Sequence, residues 1–139
     1  MVETRTLSIA TRGFSDVKDL TSQIAEAVTE SGLAHGIVTV FVPGSTAGLT
    51  TLEYESGAVQ DLQEAVERLF PCGIPYRHDQ RWGDGNGFAH IRAAMLGPSL
   101  TVPFRDQRLM LGTWQQVVMV DFDNRPRKRT VVLQILGEQ

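Results

Sequence analysis

The last third of the chain narrows the fold most, because four β-prone runs follow one another with only turn residues between them. Residues 99–104, 108–113, 115–123 and 129–136 carry most of their Val, Leu, Met and Phe in short stretches, punctuated by Gly97-Pro98, Asp106-Gln107 and Asn124. Runs joined this tightly pair antiparallel, since a parallel crossover needs a dozen or more residues. The pattern predicts an antiparallel meander and excludes a doubly wound parallel sheet over this part of the chain.

Upstream, residues 4–11 alternate in polarity with period two, as a half-buried strand does. Gly13 and Ser15 then announce a helix: Ser15 is a candidate cap, Asp16 and Asp19 suit the positive helix start, and Val17, Leu20, Ile24, Ala27 and Val28 form one apolar stripe that Gly32 ends. Residues 36–42 are β-branched and aromatic, hence a buried strand broken by Pro43-Gly44, and 48–54 read as the next. Val59, Leu62, Val66 and Leu69 space a second helix over about 57–70, closed by Pro71. Residues 75–86, dense in Gly, charge and aromatics, read as one long ordered loop, and 88–95 as a short helix. Strands and helices in this order give the α+β class with two to three helices.

Nothing divides the chain: 139 residues without a Pro/Gly/Ser-rich linker make a single domain, 1–139. A hydrophobic fraction of 42% against 21% charged is enough for one real core. No run approaches the ~18 apolar residues of a membrane span, and Met1–Thr6 carries no apolar leader, so a cytoplasmic protein without membrane attachment is the expectation. One cysteine, Cys72, excludes an internal disulfide and a cysteine-built zinc knuckle. With 13 basic against 16 acidic residues the net charge is -3, which argues against broad nucleic-acid binding. The basic tip Arg125–Arg129 reads as a solvated turn.

The polar residues that carry potential chemistry gather at one loop and two strand ends: Ser45, Thr46, Glu53, Asp61, His78, Asp79, Asp84, Asn86, His90 and Arg92. His78 and His90, with Asp79 and Glu53 as carboxylates, can serve as acid and base or share a divalent metal. Either histidine can equally pack as a structural side chain. Gly83-Asp84-Gly85-Asn86-Gly87 before a helix can aim backbone N–H groups at an anion, though it matches neither the P-loop nor the dinucleotide fingerprint. Three glycines there equally well permit a positive-φ turn. Ser45 and Thr46, just past a strand, can take a phosphate or simply satisfy their turn. No Gly-x-Ser-x-Gly elbow is present, so acyl transfer is not expected.

Taken together, Phe41–Thr50, Tyr76–Asp79, Gly85–His90, Leu96–Leu100 and Gly112–Gln115 resemble, in order, segments of the YjbQ-like family, whose members are described as secondary thiamine-phosphate synthases. The resemblance implies a compact α+β fold with a twisted, largely antiparallel sheet, commonly assembled as a trimer with pockets near subunit boundaries. It also implies weak transfer of a hydroxymethylpyrimidine from its diphosphate to a thiazole phosphate. On that reading His78, Asp79 and Glu53 act in catalysis, Ser45, Thr46, Asn86 and His90 hold the phosphorylated ligand, and His78 and His90 are the metal candidates. The alternative is a trimeric anion-binding protein that catalyses nothing.

Three departures matter. Family members often carry His-Thr-Thr where this chain has Gly44-Ser45-Thr46, and His-x-His where it has Phe88-Ala89-His90. Phe88 offers no lone pair, so zinc is expected to be weak and Mg²⁺, which prefers carboxylates and substrate phosphates, fits better. The family's Asp-Gly hairpin is Asp106-Gln107 here. A non-glycine residue at positive φ costs about 1 kcal/mol and favours a different turn. Gly112-Thr113-Trp114 is expected to brace the sheet, with the Trp114 indole buried.

Overall fold

In the computed structural model, which describes residues 1–139, the two ends of the chain form its longest strand pair. Strand β1 (Val2–Thr11) runs antiparallel to β8 (Arg127–Glu138), with Val2 opposite Leu136 and Thr11 opposite Arg127. The other edge of β8 takes β3 (His35–Phe41), which pairs with β5 (Ser99–Arg105) and through it with the two-residue β6 (Arg108–Leu109). The resulting sheet has the order β1-β8-β3-β5-β6. A smaller sheet sets β7 (Gln116–Asp121) between β2 (Asp16–Asp19) and β4 (Ala47–Leu52), again antiparallel. Four helices complete the chain: α1 (Thr21–Ser31), α2 (Ser56–Leu69), α3 (Arg77–Trp82) and α4 (Gly87–Leu96). No helix is long and apolar enough to cross a membrane.

Strand β7 explains the layering. Its side chains alternate between two cores: Val117 and Met119 join the larger one with α1 and the five-stranded sheet, while Val118 and Val120 join a smaller one with Phe88, Ala89 and Ala93 of α4. Val59, Leu62 and Val66 of α2 cover that second core. A strand buried on both faces needs an unbroken apolar run rather than alternation, which is what Val117–Val120 supplies.

The α+β class and antiparallel pairing stand as read, but the last four strands are not a meander. Only β5 and β6 are joined as a hairpin; β7 leaves for the smaller sheet, and β8 fills the gap between β1 and β3. Sequential tight turns fix antiparallel sense, not which sheet receives each strand. The first helix begins at Thr21, because Asp16–Asp19 pairs with β7 and Val17 is buried in the second core. Ser15 therefore caps nothing and sits at φ 65°. The loop over 75–86 contains α3, ended by Gly83 at φ 71°, so there are four helices rather than two or three. The run 108–113 keeps only Arg108–Leu109 as strand. Asp106 and Gln107 nevertheless adopt positive φ, 51° and 63°, so the hairpin retains the turn that glycine would have made easier.

Trp114 is 74% exposed rather than buried. Its turn is held instead by Gln115, whose Oε1 accepts from the Gly112 N–H at 3.0 Å and whose Nε2 donates to Thr51 Oγ1 at 3.2 Å. Trp114→Ala is accordingly expected to shift the unfolding free energy of the isolated chain by no more than about 0.5 kcal/mol. Chemical denaturation checks this, and a loss of several kcal/mol would place the indole in a core.

Candidate functional site

Helix α4 carries His90 and Arg92, follows directly on Asn86, and meets Asp79 and His78 of α3. The Gly87 N–H, one of the orphan donors of a helix start, donates to Asp79 Oδ1 at 2.8 Å. Asp79 thus reaches from α3 to cap α4, and that carboxylate oxygen lies where an external anion would otherwise bind. Gly87 itself has no room for a side chain, since a Cβ would lie 2.4 Å from Tyr76 Cβ.

One turn further along α4, His90 meets His78 of α3 with ring centroids 4.2 Å apart and planes tilted by 44°. The two imidazoles named from the sequence therefore converge. Both are half-buried. Burial and then the neighbouring His78 lower the pKa of His90, so its neutral form is favoured. On the far side of the pair, Asp84 Oδ2 lies 3.3 Å from His78 Nε2, although that buried nitrogen has no well-directed hydrogen bond.

His90 also lines a cleft of about 360 Å³ with Gly44, Ser45, Ala47, Ala93, Ala94 and Pro98. Ser45 is exposed at its edge, whereas Thr46 turns away into the protein. Thr46 Oγ1 donates to Asp123 Oδ2 at 3.1 Å and accepts from Arg129 Nη2 at 2.7 Å. Asn86, likewise turned inward, donates from Nδ2 to Asp123 Oδ1 at 3.1 Å, and its Oδ1 has no partner. Glu53 stands apart: it is exposed and lines neither this cleft nor any other cavity.

Beneath the cleft lies a buried ionic network. Asp121 and Asp123 are both 0% exposed at the end of β7. Arg129 clamps Asp121 with Nε to Oδ2 at 2.7 Å and Nη2 to Oδ1 at 2.9 Å, while Thr11 donates to Oδ2 at 2.6 Å. Arg127 Nε donates to Asp123 Oδ2 at 2.8 Å. Burial alone would raise both carboxyls, but the hydrogen bonds outweigh it; Asp121 is lowered, and Asn86, Arg127 and the Asn124 N–H hold Asp123 at about 2. The basic tip is therefore only partly solvated. Along β8, Arg127 and Arg129 point inward while Lys128 points out, a period-two pattern that a count of charges conceals.

Arg92, also on α4, is 4% exposed and braces the neighbourhood. It donates to the Phe70 carbonyl at 2.9 Å and 3.0 Å, to Ser15 Oγ at 3.1 Å and to Glu67 at 2.5 Å. Its guanidinium also stacks over the Phe88 ring, 4.9 Å from the centroid. Position 88 consequently faces the second core, not the imidazole pair, and the missing lone pair there does not by itself remove a ligand from the site. No three His, Cys, Asp or Glu side chains come close enough to hold a metal ion. Two tilted imidazoles in contact and one exposed carboxylate do not make a tetrahedral zinc cage.

The comparisons agree with this architecture. Residues 5–138 match the family described as UPF0047 protein YjbQ-like. A UPF0047 protein of Archaeoglobus fulgidus is 36% identical over 130 residues, covering 94% of this chain and 98% of the relative. The UPF0047 protein YugU of Bacillus subtilis is 32% identical over 134 residues, covering 96% and 98%. Among solved structures, a hypothetical protein from Aeropyrum pernix superposes with a TM-score of 0.91 at 34% identity over 98% of this chain and 99% of its own. A YbjQ-like protein of unknown function from Sulfolobus solfataricus gives 0.89 at 28% identity over 99% and 100%. Near-complete coverage in both directions, at these identities and on the same fold, means that the chain belongs to the YjbQ-like UPF0047 family.

Proposed function

We propose that the protein acts on a phosphorylated small molecule at the His78–His90 pair, as a thiamine-phosphate-synthase-like transferase that joins a hydroxymethylpyrimidine diphosphate to a thiazole phosphate. The observation that carries this reading is the contact of the two imidazoles at 4.2 Å beside the cleft that Ser45 and His90 share. In such a transfer the carbon–oxygen bond to the diphosphate breaks, and the bonding pair leaves with the diphosphate as the new carbon–nitrogen bond forms. His78, which adjoins Asp84 at 3.3 Å, is the group placed to donate to the departing oxygen. Neutral His90 and the Ser45 hydroxyl hold the partner substrate. Asp79 keeps its place as the cap of α4, and Glu53 takes no part. Mg²⁺ enters with the diphosphate, as its counter-ion, rather than on a cage of protein ligands.

A homotrimer in the cytoplasm belongs to the same proposal. It is supported by Ile37, Phe41 and Leu136 at 40–41% exposure on the outer face of the larger sheet and by the exposed Trp114 indole, which a second copy would cover. The rival, an anion-binding trimer without catalysis, is favoured by the engagement of Asp79, which leaves Asp84 as the one carboxylate beside the imidazoles.

Purified protein supplied with both substrates and Mg²⁺ should release diphosphate and form thiamine phosphate, and the gene should rescue growth of a cell lacking its main thiamine-phosphate synthase. His78→Ala is expected to lower turnover by about 10²-fold or more. Binding of both substrates without turnover would establish the rival. Turnover unchanged in both His78→Ala and His90→Ala would overturn the site.

A further inference from the structure

A second cleft lies on the other side of the buried Asp123, between the 83–87 turn and the tip that joins β7 to β8. It encloses about 290 Å³, and its walls are Asp84, Asn86, Asp123, Asn124, Arg125 and Arg127, with no hydrophobic residue among them. Neither His78 nor His90 lines it. The walls are tied to each other: Asn124 Nδ2 donates to the Asp84 carbonyl at 3.0 Å, and Asn86 Nδ2 donates to Asp123 Oδ1 at 3.1 Å. A preformed polar cleft of this kind gives little entropy to a ligand's arrival, because its loops are already ordered.

The bonding states of its polar groups select the ligand. Asp123 is saturated, with Asn86 and the Asn124 N–H on one oxygen and Thr46 and Arg127 on the other, so it positions its neighbours and binds nothing further. Arg127 has given Nε and Nη2 to Asp123, leaving Nη1. Arg125 is exposed and its guanidinium has no partner within the chain, and Asp84 is 54% exposed across the cleft. Asn86 is 8% exposed, and its Oδ1 lacks a donor. The amide orientation is not arbitrary, because the Asp123 carboxylate requires the NH₂ end. The tip therefore brings Arg125 and Arg127 to the cleft, and the 83–87 turn brings the exposed Asp84 carboxylate and Asn86, whose unpartnered Oδ1 is buried.

The charge count decides between ligand classes. Asp121 and Asp123 are matched by Arg127 and Arg129, and Arg125 is matched by Asp84, so the cleft and its support sum to no net charge. A bare oxyanion gains from Arg125 and loses against Asp84, whereas a ligand carrying its own positive group beside the oxyanion gains at both walls. We propose that this cleft is a binding site for a charge-compensated phosphate ester, its phosphate on Arg125 and Arg127 and its positive group on Asp84. The compensating charge is either an ammonium on the same molecule or a Mg²⁺ chelated by the phosphate. The cleft shares Asp84 with the imidazole pair, since its Oδ2 lies 3.3 Å from His78 Nε2, but the inference does not require the transferase reading.

The test compares three probes on the full chain by titration calorimetry, with backbone amide NMR shifts to place the site. They are phosphoethanolamine in EDTA, orthophosphate in EDTA, and orthophosphate with Mg²⁺. At least one of the two compensated probes should bind saturably, shift the amides of residues 84–86, 124, 125 and 127, and bind fivefold or more tightly than orthophosphate in EDTA. Which of the two does so identifies the source of the positive charge. Arg125→Ala and Asp84→Asn, both changes to exposed side chains, should each weaken it at least fivefold. His90→Ala should leave it unchanged, which separates this site from the imidazole cleft. Failure of both compensated probes to bind, equal affinity for orthophosphate in EDTA, or binding indifferent to Arg125 and Asp84 would each overturn the assignment.

Discussion

Replacing Arg129 by alanine is expected to destabilise the fold by about 3–5 kcal/mol, among the largest effects any single side chain here can produce. Arg129 is 8% exposed, and it supplies two of the charge-assisted hydrogen bonds that keep Asp121 ionised at 0% exposure. Removing it leaves a buried carboxylate whose remaining partners are the Thr11 hydroxyl and the Asp123 N–H, and it also deprives Thr46 of its donor. The loss comes mainly from the uncompensated charge. For that reason the double variant Asp121→Ala with Arg129→Ala should be less destabilised than the sum of the two single variants. Denaturant unfolding of the four proteins in the cycle checks this, and simple additivity would show that the two side chains do not act as a pair.

The same network sets the acid limit of the protein. Asp123 is held at about 2 in the folded state against an ordinary aspartate value of about 3.9 in the unfolded chain. A depressed carboxyl stabilises the fold above the unfolded value, and that stabilisation is lost as pH falls through the folded value. Asp121, lowered in the same direction by Arg129 and Thr11 against its burial, adds to it. Stability should therefore be flat with respect to these groups above about pH 5 and decline between about pH 4 and 2, by about 2 kcal/mol for Asp123 alone. In Arg129→Ala the Asp121 part of this dependence should largely disappear.

How far the sequence disclosed the site depended on what each residue answers to. His78 and His90 were legible because few other side chains titrate near neutrality, and their convergence follows from α3 and α4 meeting at the Gly83–Gly87 turn. The strand runs were legible from β-branched content, but the destination of β7 was not, because no local pattern encodes which of two sheets receives a strand. Asp16–Asp19 looked like a helix start because Asp and Val suit both a first helical turn and a short strand; pairing with β7 decided it. Trp114 was misplaced on the general tendency of large aromatics to be buried, which says nothing about an indole held out on a turn. Asp121, Asp123 and Arg129 were passed over as surface charge. Alternation along β8 was the available signal, since Arg129 shares its inward phase with Val131, Leu133 and Ile135.

The turn that precedes β2 fixes the tip carrying this network, and it yields the other large effect. Gly13 has φ 77°, and a Cβ there would stand 2.6 Å from both the Asp123 and the Arg125 carbonyl oxygens. Phe14 and Ser15 follow at positive φ and donate their N–H groups to the carbonyls of Asp123 and Asp121 at 2.7 Å and 2.8 Å. Three consecutive left-handed residues are thus maintained by backbone contacts with the tip, and no rotamer change can relieve a clash with main-chain oxygens. Gly32, which ends α1 at φ 74°, has nothing within 4 Å of its own hypothetical Cβ. The two glycines share a backbone conformation and differ in surroundings, so their alanine variants separate strain from collision. Gly32→Ala is expected to cost about 1 kcal/mol, the left-handed penalty alone. Gly13→Ala adds displacement of the tip and is expected to cost about 4 kcal/mol, at the upper end of single substitutions. Thermal and urea unfolding of both proteins provide the comparison, and an equal cost at the two positions would mean that Gly13 does not bear on the tip. Because Asp123, Arg125 and Arg127 all ride on that tip, Gly13→Ala should also weaken binding of whichever compensated phosphate probe the wild type takes, at temperatures where the variant remains folded, whereas Gly32→Ala should not.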